Sequence, residues 1–193
     1  MDARAQPTFF YDLGDPGCYL VAERISSALP IVAEWEPVSA SALGVAIDEV
    51  DREQIAREAD AHGLQEVRWP PTWPPDSQLA MLAATYAKRI GRVVSFSLAA
   101  FRQAFAGGRD LGDQDTVLIA AAASEMHPAA TLKGVSLRSV AEGLELATDR
   151  ARGAGVSSLP AIQLGDQVWA GADPIAEAAR VMGATGAQAA RRP

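Results

Sequence analysis

The chain has 193 residues, with 17 Lys and Arg against 24 Asp and Glu, a formal net charge of −7 and 49% hydrophobic residues. That is enough apolar chain to close a core unaided, and the acidic balance excludes a nucleic-acid surface, which needs clustered Lys and Arg. A single cysteine, Cys18, excludes an intramolecular disulfide and a thiolate cluster for a metal.

No run approaches the ~18 apolar residues of a membrane span. Met1 to Gln6 lack the apolar stretch of a secretory signal, so the expected compartment is the cytoplasm. Thr8-Phe9-Phe10-Tyr11 is a β-branched and aromatic run closed by Gly14, which predicts a buried strand. Asp15 then stands as an N-cap with Pro16 at the first helical position, where the missing N–H costs nothing. Cys18, Val21, Ala22, Ile25 and Leu29 recur at three and four until Pro30 stops that helix. Ile31 to Val38 alternates, with Ile31, Ala33 and Trp35 on one face and Glu34 and Glu36 on the other, the period of a half-buried strand.

From Ser39 to Gly153 the signals are helical. Asp48 to His62 ends at Gly63, Ser77 to Ile90 ends at Gly91, and a stripe of Val94, Leu98, Phe101 and Phe105 ends at Gly107-Gly108. Asp113 caps a helix through Ala123, and Ser136 caps one carrying Leu137, Val140, Leu144 and Ala147. Between the first two of these helices, Trp69-Pro70-Pro71-Thr72-Trp73-Pro74-Pro75 must be an extended connection. Ala161 to Leu164 and Gln167 to Ala170, joined by Gly165-Asp166, predict a hairpin. Asp173-Pro174 starts a last helix through Met182, and the Gly/Ala-rich tail over 183–193 is expected to be mobile.

Three sets of residues resemble a known family. Phe10-Tyr11-Asp12-Leu13-Gly14-Asp15-Pro16-Gly17-Cys18-Tyr19-Leu20 is similar to the first strand and active-site turn of the DsbA-like family, in particular its 2-hydroxychromene-2-carboxylate isomerase and kappa-class glutathione transferase branch. Gly155-Val156-Ser157-Ser158-Leu159-Pro160 resembles that family's loop before its cis-proline, and Gly171-Ala172-Asp173 the turn into its last helix. The resemblance implies an α/β, thioredoxin-like fold with a large all-helical insertion. Residues 1–38 and 154–182 would form the discontinuous thioredoxin-like domain and 39–153 the insertion.

It also implies a cis Pro160, glutathione as cofactor, a small-molecule substrate of aromatic or electrophilic character, and room for a homodimer. No metal, nucleic acid or membrane partner is expected. In the family's redox members a Cys opens the turn; in the isomerase and transferase members a Ser holds the glutathione thiolate, which the helix N-terminus stabilises. Residues beside the cis-proline pair with the glutathione backbone like an added strand. The implied ligand site comprises Gly17, Leu159, Pro160, Ala172 and Asp173, and Trp73 is placed to stack on an aromatic substrate or to pin its loop together with Trp69.

This chain departs from both patterns, since Asp15 stands at the first position and Cys18 at that of the second cysteine of a CxxC. An ionised Asp15 has no proton to give a thiolate and repels it, which weakens glutathione binding. Asp15 is either an N-cap alone or a general base, its pKa set by burial and the helix dipole in opposition. Cys18 is either an inert packing thiol or a reactive one. Gly17 either reflects drift or opens the pocket above Pro160 to a bulkier ligand. His62 and His127 read as surface or capping residues. Three functions compete: an isomerase or transferase of the glutathione-using branch, a binding protein of the same fold without thiol chemistry, and a dithiol oxidoreductase, which one cysteine disfavours.

Overall fold

The computed structural model describes residues 6–47 and 49–189, so Asp48 and the end of the expected tail lie outside the described residues. Strand β1 (Thr8–Tyr11), helix α1 (Pro16–Ala28) and strand β2 (Glu34–Pro37) are followed by α2 (Ala40–Leu43), α3 (Arg52–Ala61), α4 (Gln78–Arg89) and α5 (Val93–Phe101). A π-helical turn (Arg102–Ala106) extends α5, and after a non-helical connection come α6 (Gln114–Ala123), α7 (Pro128–Val135) and α8 (Arg138–Gly153). The chain then returns as β3 (Ala161–Leu164), β4 (Gln167–Ala170) and α9 (Pro174–Ala189). This is the thioredoxin-like order with a helical insertion.

The sheet runs β2-β1-β3-β4, with β1 parallel to β2 and antiparallel to β3. The parallel pair follows from α1, which crosses over between the two strands, and the antiparallel β3–β4 pair from the Gly165-Asp166 turn. The core is continuous between sheet and insertion. Phe9 and Tyr11 stack at 5.2 Å, Trp35 meets both edge-on, and Phe101 of α5 packs on Tyr11 at 5.8 Å. The Tyr11 hydroxyl is satisfied in that apolar setting by Ser97 at 2.6 Å.

Several expectations are corrected. Ile31 and Val32 lie outside β2 and are exposed, so the strand is shorter than the alternation suggested. Glu34 and Glu36 do share a face, but Lys88 of α4 covers it, reaching Glu34 at 2.8 Å and Glu36 at 2.5 Å, and Arg150 of α8 adds a contact to Glu36 at 3.2 Å. Glu36 is therefore buried and paired, not solvated. Val94 is exposed, and the inward face of α5 is Phe96, Ser97, Ala100 and Phe101. Ser136 donates to the Lys133 carbonyl at the end of α7 instead of capping α8, and Leu137 is exposed. The last helix runs past Met182 to Ala189. Two helices, the short α2 and α7, were not expected from the sequence; the latter is capped by His127 through the Ala129 N–H.

The contact of α7 with α4 depends on Gly134. A Cβ there would come within 2.6 Å of the Tyr86 ring carbons Cγ and Cδ2. Helix propensity alone favours Ala over Gly by up to ~1 kcal/mol, while forcing a methyl group into a packed interface costs ~1–3 kcal/mol. Gly134→Ala is expected to lower unfolding stability by about 1 kcal/mol or more in urea titration. An unchanged or raised midpoint would show that Tyr86 yields freely.

Candidate active site

The turn between β1 and α1 buries two carboxyl groups, Asp12 and Asp15. Asp12 is fully engaged: its Oδ1 accepts from the Gly14 N–H at 2.9 Å and the Ser77 hydroxyl at 2.8 Å, and its Oδ2 from the Ala40 N–H at 2.9 Å. One side chain thus ties the turn to the first residue of α2 and to the residue preceding α4. Asp15 is the N-cap of α1, its Oδ1 accepting from the Cys18 N–H at 3.0 Å, with Pro16 following as the first helical residue.

Asp15 also forms part of a cavity of about 230 Å³. Gly17, Ser158, Leu159 and Pro160 face it from the sheet side, with Gly171 and Ala172 at the edge. The opposite wall comprises Val45, Ala46 and Val50 from between α2 and α3, with Asp51 and Ile55 at the start of α3 among others. The Leu159–Pro160 peptide is cis. At Gly17 an added Cβ would stand 3.1 Å from Asp15 Oδ1 and 3.3 Å from Pro160 Cδ, so the missing side chain leaves the space between carboxyl and proline ring. The volume lies below the ~300–1,000 Å³ of sites for drug-sized ligands, which limits the occupant to a small molecule.

The residues singled out in the sequence separate into three groups. Asp15, Gly17, Leu159, Pro160 and Ala172 come together around the cavity. Cys18 sits one layer below, with no exposed surface, and burial followed by the Asp15 charge pushes its thiol well above the usual range. It is a packing thiol at neutral pH. Asp173 and Trp73 are not among the lining residues. Asp173 accepts from the Ile175 N–H at the start of α9 and pairs with Arg24 at 2.9 Å, beside His62, which contacts the same guanidinium. Trp73 meets Trp69 edge-on at 4.8 Å, and Arg52 of α3 lies over the pair, 4.4 Å from the Trp69 ring centre. Sequence reasoning missed Asp12, although an acid closing an aromatic strand was a visible anomaly.

Burial raises the Asp15 pKa to about 7; the Cys18 N–H opposes this and the neighbouring Asp12 charge adds to it. Burial also pushes Asp12 upward, against the donors from Ala40, Gly14 and Ser77. A carboxyl group that titrates near neutrality beside a cavity can both accept and donate a proton there. Glutathione, by contrast, fits poorly. It carries two carboxylates against one ammonium and so a net negative charge, more so as the thiolate, whereas the charged side chains among the described lining residues are Asp15, Asp51 and Glu58, all acidic, with no Lys, Arg or His.

Comparison with known proteins places the fold. The model of the DSBA-like thioredoxin domain matches residues 8–183. A solved 2-hydroxychromene-2-carboxylate isomerase is similar over 95% of this chain and 97% of its own, at 16% identity and a TM-score of 0.83. A probable DsbA oxidoreductase from Streptomyces coelicolor aligns over 98% and 92%, at 16% identity and a TM-score of 0.76. The cytosolic disulfide reductase DsbM from Pseudomonas aeruginosa, solved with GSH, aligns over 95% and 98%, at 12% identity and a TM-score of 0.66. No curated protein sequence matches. Among the described residues no helix is long and apolar enough to cross a membrane.

The raised pKa of Asp15 couples to stability with a definite sign. Folding favours its protonated form, so its contribution is full below the unfolded pKa near 4 and is lost as pH rises through about 7. Asp15→Asn keeps a capping side chain and removes the titration. The stability of the wild type relative to Asp15→Asn is expected to fall by about 2–3 kcal/mol between pH 5 and pH 8. A difference that does not change with pH would mean that Asp15 titrates normally.

Proposed function

This chain belongs to the DSBA-like thioredoxin domain family, and from that premise we propose that it is an isomerase-type enzyme in which Asp15 moves a proton on a small aromatic or electrophilic substrate. The observation that carries this reading is the buried Asp15 carboxyl, with a pKa of about 7, at the cavity wall. Ionised, Asp15 takes a proton from a substrate carbon or hydroxyl; neutral, it returns that proton to another position. Nothing is oxidised or reduced, and no second cysteine is called for. A group with a pKa near the working pH serves both directions, which is the condition for efficient acid–base catalysis. Val45, Val50, Ile55, Leu159 and the Pro160 ring supply apolar walls suited to an aromatic body.

The same features speak against dithiol exchange by this chain. Cys18 is fully buried, is the chain's one cysteine, and is held as a thiol. A binding protein without turnover is the second reading, supported by the strong capping role that Asp15 fills in any case.

The solved isomerase suggests the probe. Isomerisation of an uncharged 2-hydroxychromene is followed by absorbance across pH for wild type and Asp15→Asn. The expected result is a wild-type rate with an inflection near pH 7 and a loss of ~10²-fold or more in Asp15→Asn. Full activity in the variant would remove Asp15 from the reaction, and binding of the chromene without turnover would establish the binding-protein reading.

A further inference from the structure

The cavity carries charge of one sign. Asp15 lies at the helix N-terminus, Asp51 and Glu58 stand on the α3 wall, and the other described lining residues are uncharged. Among the cations around α3, Arg57 approaches the lining carboxylate Asp51 without itself lining the cavity, and Arg52 and Arg24 are committed elsewhere. Arg57 is largely exposed and lies 3.7 Å from Glu53 and 3.9 Å from Asp51, a loose contact. Arg52 lies over Trp69 and Trp73, and Arg24 is held by Asp173 and His62. Glu58 accepts from the Gln54 side-chain amide at 2.9 Å, a neutral donor.

Gly17 makes the acidic group reachable. Its absent side chain leaves open the space bounded by Asp15 Oδ1 and Pro160 Cδ, where a Cβ would sit at 3.1 and 3.3 Å. An anion entering there meets the Asp15 carboxylate with no cation among the described lining residues to offset it. With the cavity taken as the active site, a reading on which the inference rests, we infer that this site has given up glutathione and discriminates by charge, rejecting anionic ligands and taking small uncharged or cationic ones. The fold's thiol-cofactor position is thereby turned into a site for an apolar body that has no carboxylate, with affinity rising when the ligand carries a protonated nitrogen.

The test is equilibrium binding by titration calorimetry, at pH 7.5, of three probes of similar size and different charge: 2-phenylethylamine, 2-phenylethanol and phenylacetate, with glutathione alongside. The expected order is amine, then alcohol, then carboxylate, spanning about tenfold or more, with no measurable glutathione binding. In the double variant Asp51→Asn, Glu58→Gln the span is expected to shrink, the α3 cap being kept by Asn. Gly17→Phe, or Gly17→Ala if the larger change prevents folding, reports whether the probes occupy the cavity. Phenylacetate or glutathione binding as tightly as the amine, and sensitive to position 17, would overturn the charge inference while leaving the cavity as the site. Probes that do not bind, or that bind regardless of position 17, would overturn both.

Discussion

The triple hydrogen bonding of Asp12 is the constraint on which the site depends. A buried carboxylate without donors costs several kcal/mol; here three donors converge on it from three separate pieces of chain. The turn after β1 is thereby fixed to the insertion, and the N-terminus of α1 is held where Val45, Val50 and α3 bound a cavity against it. Asp15 inherits its environment from this arrangement. It is buried in the wall of a cavity that α3 faces, and it lies near a second buried acid because the turn is short. Its elevated pKa follows from that burial and from the Asp12 charge, against the capping bond from Cys18.

The architecture and the chemistry are carried by different residues. The shape shared with a 2-hydroxychromene-2-carboxylate isomerase and with disulfide-handling proteins extends over 95–98% of this chain at 12–16% identity. The position that opens α1 is one residue, and here it is a carboxyl where a thiol or hydroxyl stands in the patterns that the sequence resembles. Replacing it changes what the same helix N-terminus can do: in the proposed function a weak acid near neutrality is the proton-transfer group, and the buried thiol of Cys18 takes no part.

Much of this was legible in the sequence because local signals and tertiary context agreed. Asp15-Pro16, Asp113 and Gly165-Asp166 set boundaries that the structure keeps, since capping and turn geometry are decided within a few residues. His127-Pro128 carries the same cap-and-proline signal as Asp15-Pro16 and starts a helix that was legible in the same way but not expected. What local pattern could not supply was which face a distant element would cover. Glu36 alternates as a solvent-facing residue, yet Lys88 and Arg150 arrive from helices far along the chain to bury it. Trp73 had the chemistry of a stacking residue, and its neighbours Trp69 and Arg52 turn it into a prop for α3. The pKa of Asp15 was likewise undecidable, because it depends on burial and on Asp12, two of whose partners lie tens of residues away.

The central claim is that Asp15 is a buried carboxyl group that titrates close to neutrality in the folded protein. The direct measurement is the pH dependence of the Asp15 side-chain carboxyl ¹³C shift, assigned by comparison with Asp15→Asn. The account predicts a midpoint near 7. A midpoint near 4, the ordinary aspartate value, would contradict it and reduce Asp15 to a helix cap.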